Sequence, residues 1–111
     1  MSCLSKSHRI KTQKEFNQIY KSNKKWHTHS FVVFFNKHDS LKVAFVSSKK
    51  VGNAIARSKS KRLLKALMLQ NENQLKIGKY VFVAKNELLS REFQVLQKDF
   101  YYAMKKLDLF Q

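Results

Sequence analysis

The chain has 111 residues, 43% hydrophobic and 13% aromatic, enough for one modest core and too apolar for a disordered basic tail. Its formal net charge is +16, and residues 1–65 hold 16 Lys/Arg against 2 Asp/Glu. Charge of that size opposes compaction and points to a polyanionic partner, nucleic acid ahead of an anionic membrane surface.

Cys3 is the only cysteine, which excludes an internal disulfide and fits a reducing compartment. The opening MSCLSKSHRIK lacks the apolar run of a signal peptide, and no segment approaches the ~20 apolar residues that span a bilayer. The chain therefore reads as cytoplasmic, with no membrane contact. Without proline, a Ser/Gly linker or an internal repeat, residues 1–111 read as a single domain.

In TQKEFNQIYKS, Thr12 and Glu15 have capping-box spacing, and Phe16, Ile19 and Tyr20 form one apolar helical face. That helix is expected to end near Asn23. SFVVFFN (Ser30–Asn36) is rich in β-branched and aromatic residues and predicts a strand. LKVAFVSS (Leu41–Ser48) alternates Leu41, Val43 and Phe45 against Lys42, Ala44 and Val46, which predicts a second strand, paired with the first as a hairpin across NKHDS. Lys25–His29 is a further candidate strand. His27 and His29 could share a face there, but with no cysteine or acid nearby they read as solvent or RNA contacts rather than metal ligands.

After Gly52-Asn53, helical periodicity runs from Ala54 to Asn71. KYVFVAK (Lys79–Lys85) predicts a strand, and Ser90 is expected to cap a last helix that docks through Phe93, Leu96, Phe100, Ala103 and Leu107. The fold class that follows is α+β: a two-layer sandwich with one central, mostly antiparallel sheet and packed helices, in the order α-β-β-(β)-α-β-α.

The middle helix carries the charge. At ~100° per residue, Ala56, Leu63, Leu64 and Leu67 fall in one arc, while Arg57, Lys61 and Lys65 stack on another face with Arg62 beside them and Lys59 at the far flank. Like charges at this spacing repel, and no acid occurs between Asp39 and Glu72. An ordinary solvated helix intersperses glutamates; this pattern fits a polyphosphate surface better. Lys49 and Lys50 stand at its entrance. Gly52 is free to take positive φ, and a Gly-Asn turn before a helix can aim N–H groups at a phosphate.

SSKKVGNAIARSKSKRLLKAL resembles the signature of the bacterial ribonuclease P protein subunit family, Lys-Lys-Val/Ile-Gly-Asn-Ala followed by Arg-Asn-Arg-x-Lys-Arg-x-x-Arg. Lys49, Lys50, Val51, Gly52, Asn53, Ala54, Arg57, Lys61 and Arg62 match it. Ser58 stands for Asn, and Lys59 and Lys65 for Arg, so the charge survives there without the bidentate guanidinium fork. HRIKTQKEFNQIY, FVVFF and GKYVFVAK resemble further family segments, so the likeness spans nearly the whole chain.

The resemblance implies a left-handed βαβ crossover, against the usual hand. It also implies an accessory role in a ribonucleoprotein endonuclease. There the RNA subunit, using Mg²⁺, cuts precursor tRNA to form the mature 5′ end, and the protein binds that RNA and the 5′ leader. By resemblance, Lys49, Lys50, Gly52, Asn53, Arg57, Lys59, Lys61, Arg62 and Lys65 face the RNA subunit. A cleft between the first helix and the sheet takes the single-stranded leader, with Phe16, Tyr20 and Phe34 as stacking platforms and Arg9 and Lys11 near its backbone. Base–aromatic stacking tolerates any sequence; Phe16 and Phe34 equally fit a core. The residues agree that the chain is a poor nuclease by itself: no two of its seven acids lie within four residues of each other, whereas metal-dependent nucleases cluster carboxylates, which here would have to come from distant segments. No catalytic or metal-ligating residue is therefore assigned to the chain, and no protein oligomer is required. The alternative is a non-catalytic RNA-binding module, such as a ribosomal protein or an RNA chaperone. A DNA-binding regulator fits less well, because no helix precedes the basic one at helix-turn-helix distance.

Overall fold

The computed structural model describes residues 9, 10, 12–22 and 24–111. Lys11, Asn23 and Cys3 lie outside them. Helix α1 (Gln13–Tyr20) is followed by strands β1 (Lys25–His27), β2 (Phe31–Lys37) and β3 (Lys42–Ser47), helix α2 (Ala54–Asn71), strand β4 (Gly78–Ala84) and helix α3 (Phe93–Lys106). Short 3₁₀ turns occupy Lys49–Val51, Glu72–Gln74 and Asn86–Ser90.

The four strands form one sheet in the order β1-β2-β4-β3. β1 pairs with β2 and β2 with β4 antiparallel, while β3 runs parallel to β4. The short Lys25–His29 segment does join the sheet. The expected hairpin does not form, because β4 inserts between its two arms. β4 is buried on both faces, Tyr80, Val81 and Phe82 being wholly enclosed, and a strand apolar on both sides belongs at a sheet centre. The connection from Lys37 to Lys42 has only to step over one strand, about 10 Å. Gly78 stands at that crossing, where a Cβ would lie 2.4 Å from the Phe35 ring.

Period-2 alternation divides the sheet faces. Phe31, Val33, Phe35, Val43, Tyr80 and Phe82 point to one side, where Leu64, Leu67 and Met68 of α2 and Leu96, Phe100 and Met104 of α3 complete the main core. Val81 points to the other side, where it meets Ile10 and Ile19. The Tyr80 hydroxyl donates to the Lys76 carbonyl at 2.6 Å, and burial raises its pKa above the ordinary phenol value.

Thr12 caps α1 as expected, its hydroxyl oxygen accepting from the Glu15 amide at 3.2 Å. The helix closes at Tyr20 with Lys21 as its cap. Ser90 does not cap α3. It ends the preceding 3₁₀ turn, its hydroxyl donating to the Glu87 carbonyl, and Glu92 takes the capping position without a side-chain bond. At the far end α3 closes as a Schellman motif, with Leu109 N–H on the Met104 carbonyl and Asp108 N–H on that of Lys105. Asp108 takes the positive φ of 57° that the motif needs. Among the described residues, no helix is long and apolar enough to cross a membrane.

Candidate nucleic-acid interface

The entrance to α2 is built by local hydrogen bonding. Ser48 Oγ accepts from the Lys50 amide, and the Gly52 amide donates to the Lys49 carbonyl, which winds Lys49–Val51 into one tight turn with both lysines exposed. Gly52 then turns the chain at φ 141°. A Cβ there would also sit 2.9 Å from Ala56 Cβ. Asn53 Oδ1 accepts from the Ala56 amide at 2.9 Å and caps the helix. The amides of Lys50, Val51, Gly52 and Ala56 are thus already bonded within the protein, so the contribution of this turn to anion binding rests mainly on Lys49 and Lys50.

α2 lies on the sheet through Leu64, Leu67 and Met68. Ser60 is buried with them, its hydroxyl 2.9 Å from Ser47 Oγ and donating to the Arg57 carbonyl at 2.7 Å. No spacing rule singled out that serine; it sits in the apolar arc because its polar group is satisfied locally. Arg57, Lys61 and Lys65 run along the border of the buried arc and are half-buried, whereas Lys59 and Arg62 are exposed. Among the described residues, no ion pair engages any of these five or Lys49 and Lys50; the ion pairs join His38–Asp39, Lys42–Glu15, Lys79–Glu15 and Lys76–Asp108. Arg57 Nε is buried without a protein acceptor.

A hollow of about 370 Å³ opens at the β3 edge, lined by Arg9, Ile10, Phe16, Val43, Ala44, Phe45, Lys61 and Lys65. Arg9 bridges to Val43 as a parallel extension of the sheet, so the segment before α1 forms one wall and α2 the other. Residues expected on two separate surfaces therefore meet: Arg9 and Phe16 from the leader set, Lys61 and Lys65 from the helix set. Arg57, Ser58 and Lys61 border a second, smaller hollow beside it.

Tyr20 and Phe34 do not line the hollow at the β3 edge. They continue from Phe16 along α1 and the sheet, with ring centroids 6.1 Å apart for Phe16–Tyr20 and 5.0 Å for Tyr20–Phe34. All three are half-buried beside Ala44, Val46 and Val83, a strip of sheet face that α1 only partly covers. Partial burial raises the Tyr20 phenol pKa. Glu15 fixes α1 above this strip, its carboxylate 3.4 Å from Lys79 Nζ and 3.8 Å from Lys42 Nζ. Lys42 and Lys79 were not singled out in the sequence, although their alternation with apolar neighbours placed them on this face. Among the described residues, no three His, Cys, Asp or Glu side chains come together as a metal group.

The model of the family described as Ribonuclease P matches residues 4–108. The chain belongs to the ribonuclease P protein family. A ribonuclease P protein component of a Nitratiruptor species is 43% identical over 90 residues, 81% of this chain and 83% of that relative. One of Streptococcus pyogenes serotype M5 (strain Manfredo) is 30% identical over 108 residues, 96% of this chain and 91% of the relative. The Staphylococcus aureus RNase P protein shares the fold with a TM-score of 0.84 at 24% identity, covering 96% of this chain and all of that one. The Thermotoga maritima RNase P protein does so at 0.76 and 24%, covering 88% and 96%. Ribonuclease P activity thus belongs to this chain as the protein component of a ribonucleoprotein, with ribonuclease P RNA as its partner and tRNA 5′ processing as its task.

Proposed function

We propose that α2 and its lysine-bearing entrance bind the ribonuclease P RNA, and that the neighbouring cleft holds the 5′ leader of precursor tRNA in the cytoplasm. The observation that carries this is the hollow at the β3 edge, where Lys61, Lys65 and Arg9 border the same space as the Phe16 ring. Cations there neutralise a phosphate backbone, and Phe16, Tyr20 and Phe34 offer ring faces to bases. Such stacking contributes ~1–3 kcal/mol per base without reading sequence, which suits leaders of varied sequence. Lys11, assigned to the leader by resemblance, lies outside the described residues.

The chain's own part is binding and positioning. A strand held against the sheet and a folded RNA held against α2 are brought to a fixed separation, which lowers the entropy cost of presenting the scissile phosphate. Mg²⁺ belongs in this reading to the RNA-containing holoenzyme. Among the described residues no three His, Cys, Asp or Glu side chains come together to hold it; Glu15 is engaged by two lysines, Asp99 accepts from the Ser30 hydroxyl, and Asp108 pairs with Lys76.

The test is reconstitution with a bacterial ribonuclease P RNA and precursor tRNA at low Mg²⁺. The protein is expected to stimulate cleavage at the mature 5′ end, and Phe16→Ala to weaken binding of the leader-bearing substrate but not of mature tRNA. A protein that binds RNA without stimulating cleavage is a plain RNA-binding module, and one that cuts without the RNA is a nuclease; either result refutes the reading.

A further inference from the structure

The face of α3 that points away from the core carries Tyr101 and Tyr102, 58% and 51% exposed. Neither hydroxyl is hydrogen-bonded within the protein among the described residues. The Tyr102 ring lies 6.0 Å from Trp26 of β1, with Lys106 Nζ 5.2 Å above it. The Tyr101 ring lies 5.2 Å from Phe110. Shallow hollows flank the two tyrosines, one bordered by Lys98 and the other by Lys105 and Lys106. The one acid within α3, Asp99, is turned inward, accepting from the Ser30 hydroxyl at 2.6 Å. What remains outside is a row of flat rings set among cations.

We propose that this face is a second RNA-contact surface, which takes an unpaired segment of ribonuclease P RNA by stacking bases on Tyr101 and Tyr102 while Lys98, Lys105 and Lys106 meet its phosphates. Half-exposed rings beside lysines that make no ion pair among the described residues match a chain that offers both base faces and phosphates. Duplex RNA hides its base faces, so the rings select single strands. A second copy of this protein is disfavoured as the occupant, because two chains of net charge +16 repel. The surface is separate from the leader cleft. α3 packs on the sheet face opposite α1, and Trp26 lies on β1, at the far edge of the sheet from β3. The inference takes the ribonucleoprotein setting as given but does not depend on the assignment of α2.

The experiment uses the full chain assembled with ribonuclease P RNA and precursor tRNA. Ultraviolet crosslinking followed by peptide mapping is expected to attach RNA-subunit nucleotides to the Tyr101–Tyr102 peptide. Trp26, the only tryptophan in the chain, is expected to lose fluorescence as the RNA binds. Tyr101→Ala with Tyr102→Ala should lower affinity for the RNA subunit by about tenfold, with the circular dichroism spectrum retained. Lys105→Gln with Lys106→Gln keeps the rings, and should lower affinity several-fold and make its salt dependence shallower. The combined variant Arg57→Ala, Lys61→Ala, Arg62→Ala, run in parallel at saturating RNA, should keep the α3 crosslink whether or not α2 is the main contact. Absence of an α3 crosslink with unchanged affinity in both α3 variants overturns the proposal. So does crosslinking to precursor tRNA alone, or a concentration-dependent dimer that the tyrosine substitutions abolish.

Discussion

Gly52 shows how one backbone position can set the direction of several charges. Its φ of 141° is closed to ordinary L residues, and the space a Cβ needs is taken by Ala56. Lys49 and Lys50 lie just before it, so their placement relative to α2 follows from that turn. Gly52→Ala is expected to destabilise the fold by about 1–3 kcal/mol, read as a lower urea midpoint, and to weaken RNA binding because the entrance turn must shift. An unchanged midpoint would mean that the turn relaxes at no cost. The need for glycine was legible in the sequence, since Gly-Asn before a basic helix is a turn signal. The close approach of Ala56 was not, because it depends on where the first helical turn falls in space. Ser60 was hidden for a related reason: its hydroxyl donates to the Arg57 carbonyl of its own helix, but its other partner, Ser47 Oγ, comes from a different element.

Among the elements, α2 was the most legible. Its period of 3.6 after the Gly52-Asn53 turn runs from Ala54 to Asn71, where the structure has it; that the Asn53 side chain caps it emerged only from the structure. Strand alternation likewise assigned the correct face to Val43, Phe45 and their neighbours. Strand pairing was not legible. NKHDS between two apolar runs is the usual hairpin signature, and only the burial of β4 on both faces, a property of the assembled sheet, places that strand between β2 and β3. Ser90 misled for the opposite reason: an N-cap residue type is also at home closing a 3₁₀ turn. α1 is seated by Ile19 and its apolar neighbours and, beside them, by charge. Its link to β3 and β4 runs through Glu15, which is 22% exposed against Lys79 at 12%. Glu15→Gln leaves both lysines beside a neutral amide in a partly desolvated setting, and about 1 kcal/mol of stability is expected to be lost. Thermal unfolding measures this; a melting temperature equal to that of the parent would mean that α1 is seated by Ile19 and its apolar neighbours alone.

Across the whole molecule, the excess of positive charge is sorted rather than spread. Glu15, Asp99, Asp108 and Asp39 find partners within the protein, on the α1–sheet link, on the β1–β2 turn, at the end of α3 and beside His38. Among the described residues no ion pair engages the cations of α2 and its entrance, and Lys61 and Lys65 stand where a hollow with an aromatic wall opens at the sheet edge. The total charge and its concentration in the first 65 residues were evident from composition; the joining of helix and cleft into one continuous surface was not, because Arg9 and Lys61 meet only after β3 is placed at the edge. A surface of this kind binds RNA by releasing counterions, and the slope of log affinity against log salt counts the phosphates it neutralises. That slope, measured for assembly with ribonuclease P RNA, tests the role of α2 most directly. Replacing Arg57, Lys61 and Arg62 together by alanine is predicted to make it shallower by about 2 to 3, with the fold intact; an unchanged slope would contradict the assignment of α2 as the RNA-binding surface.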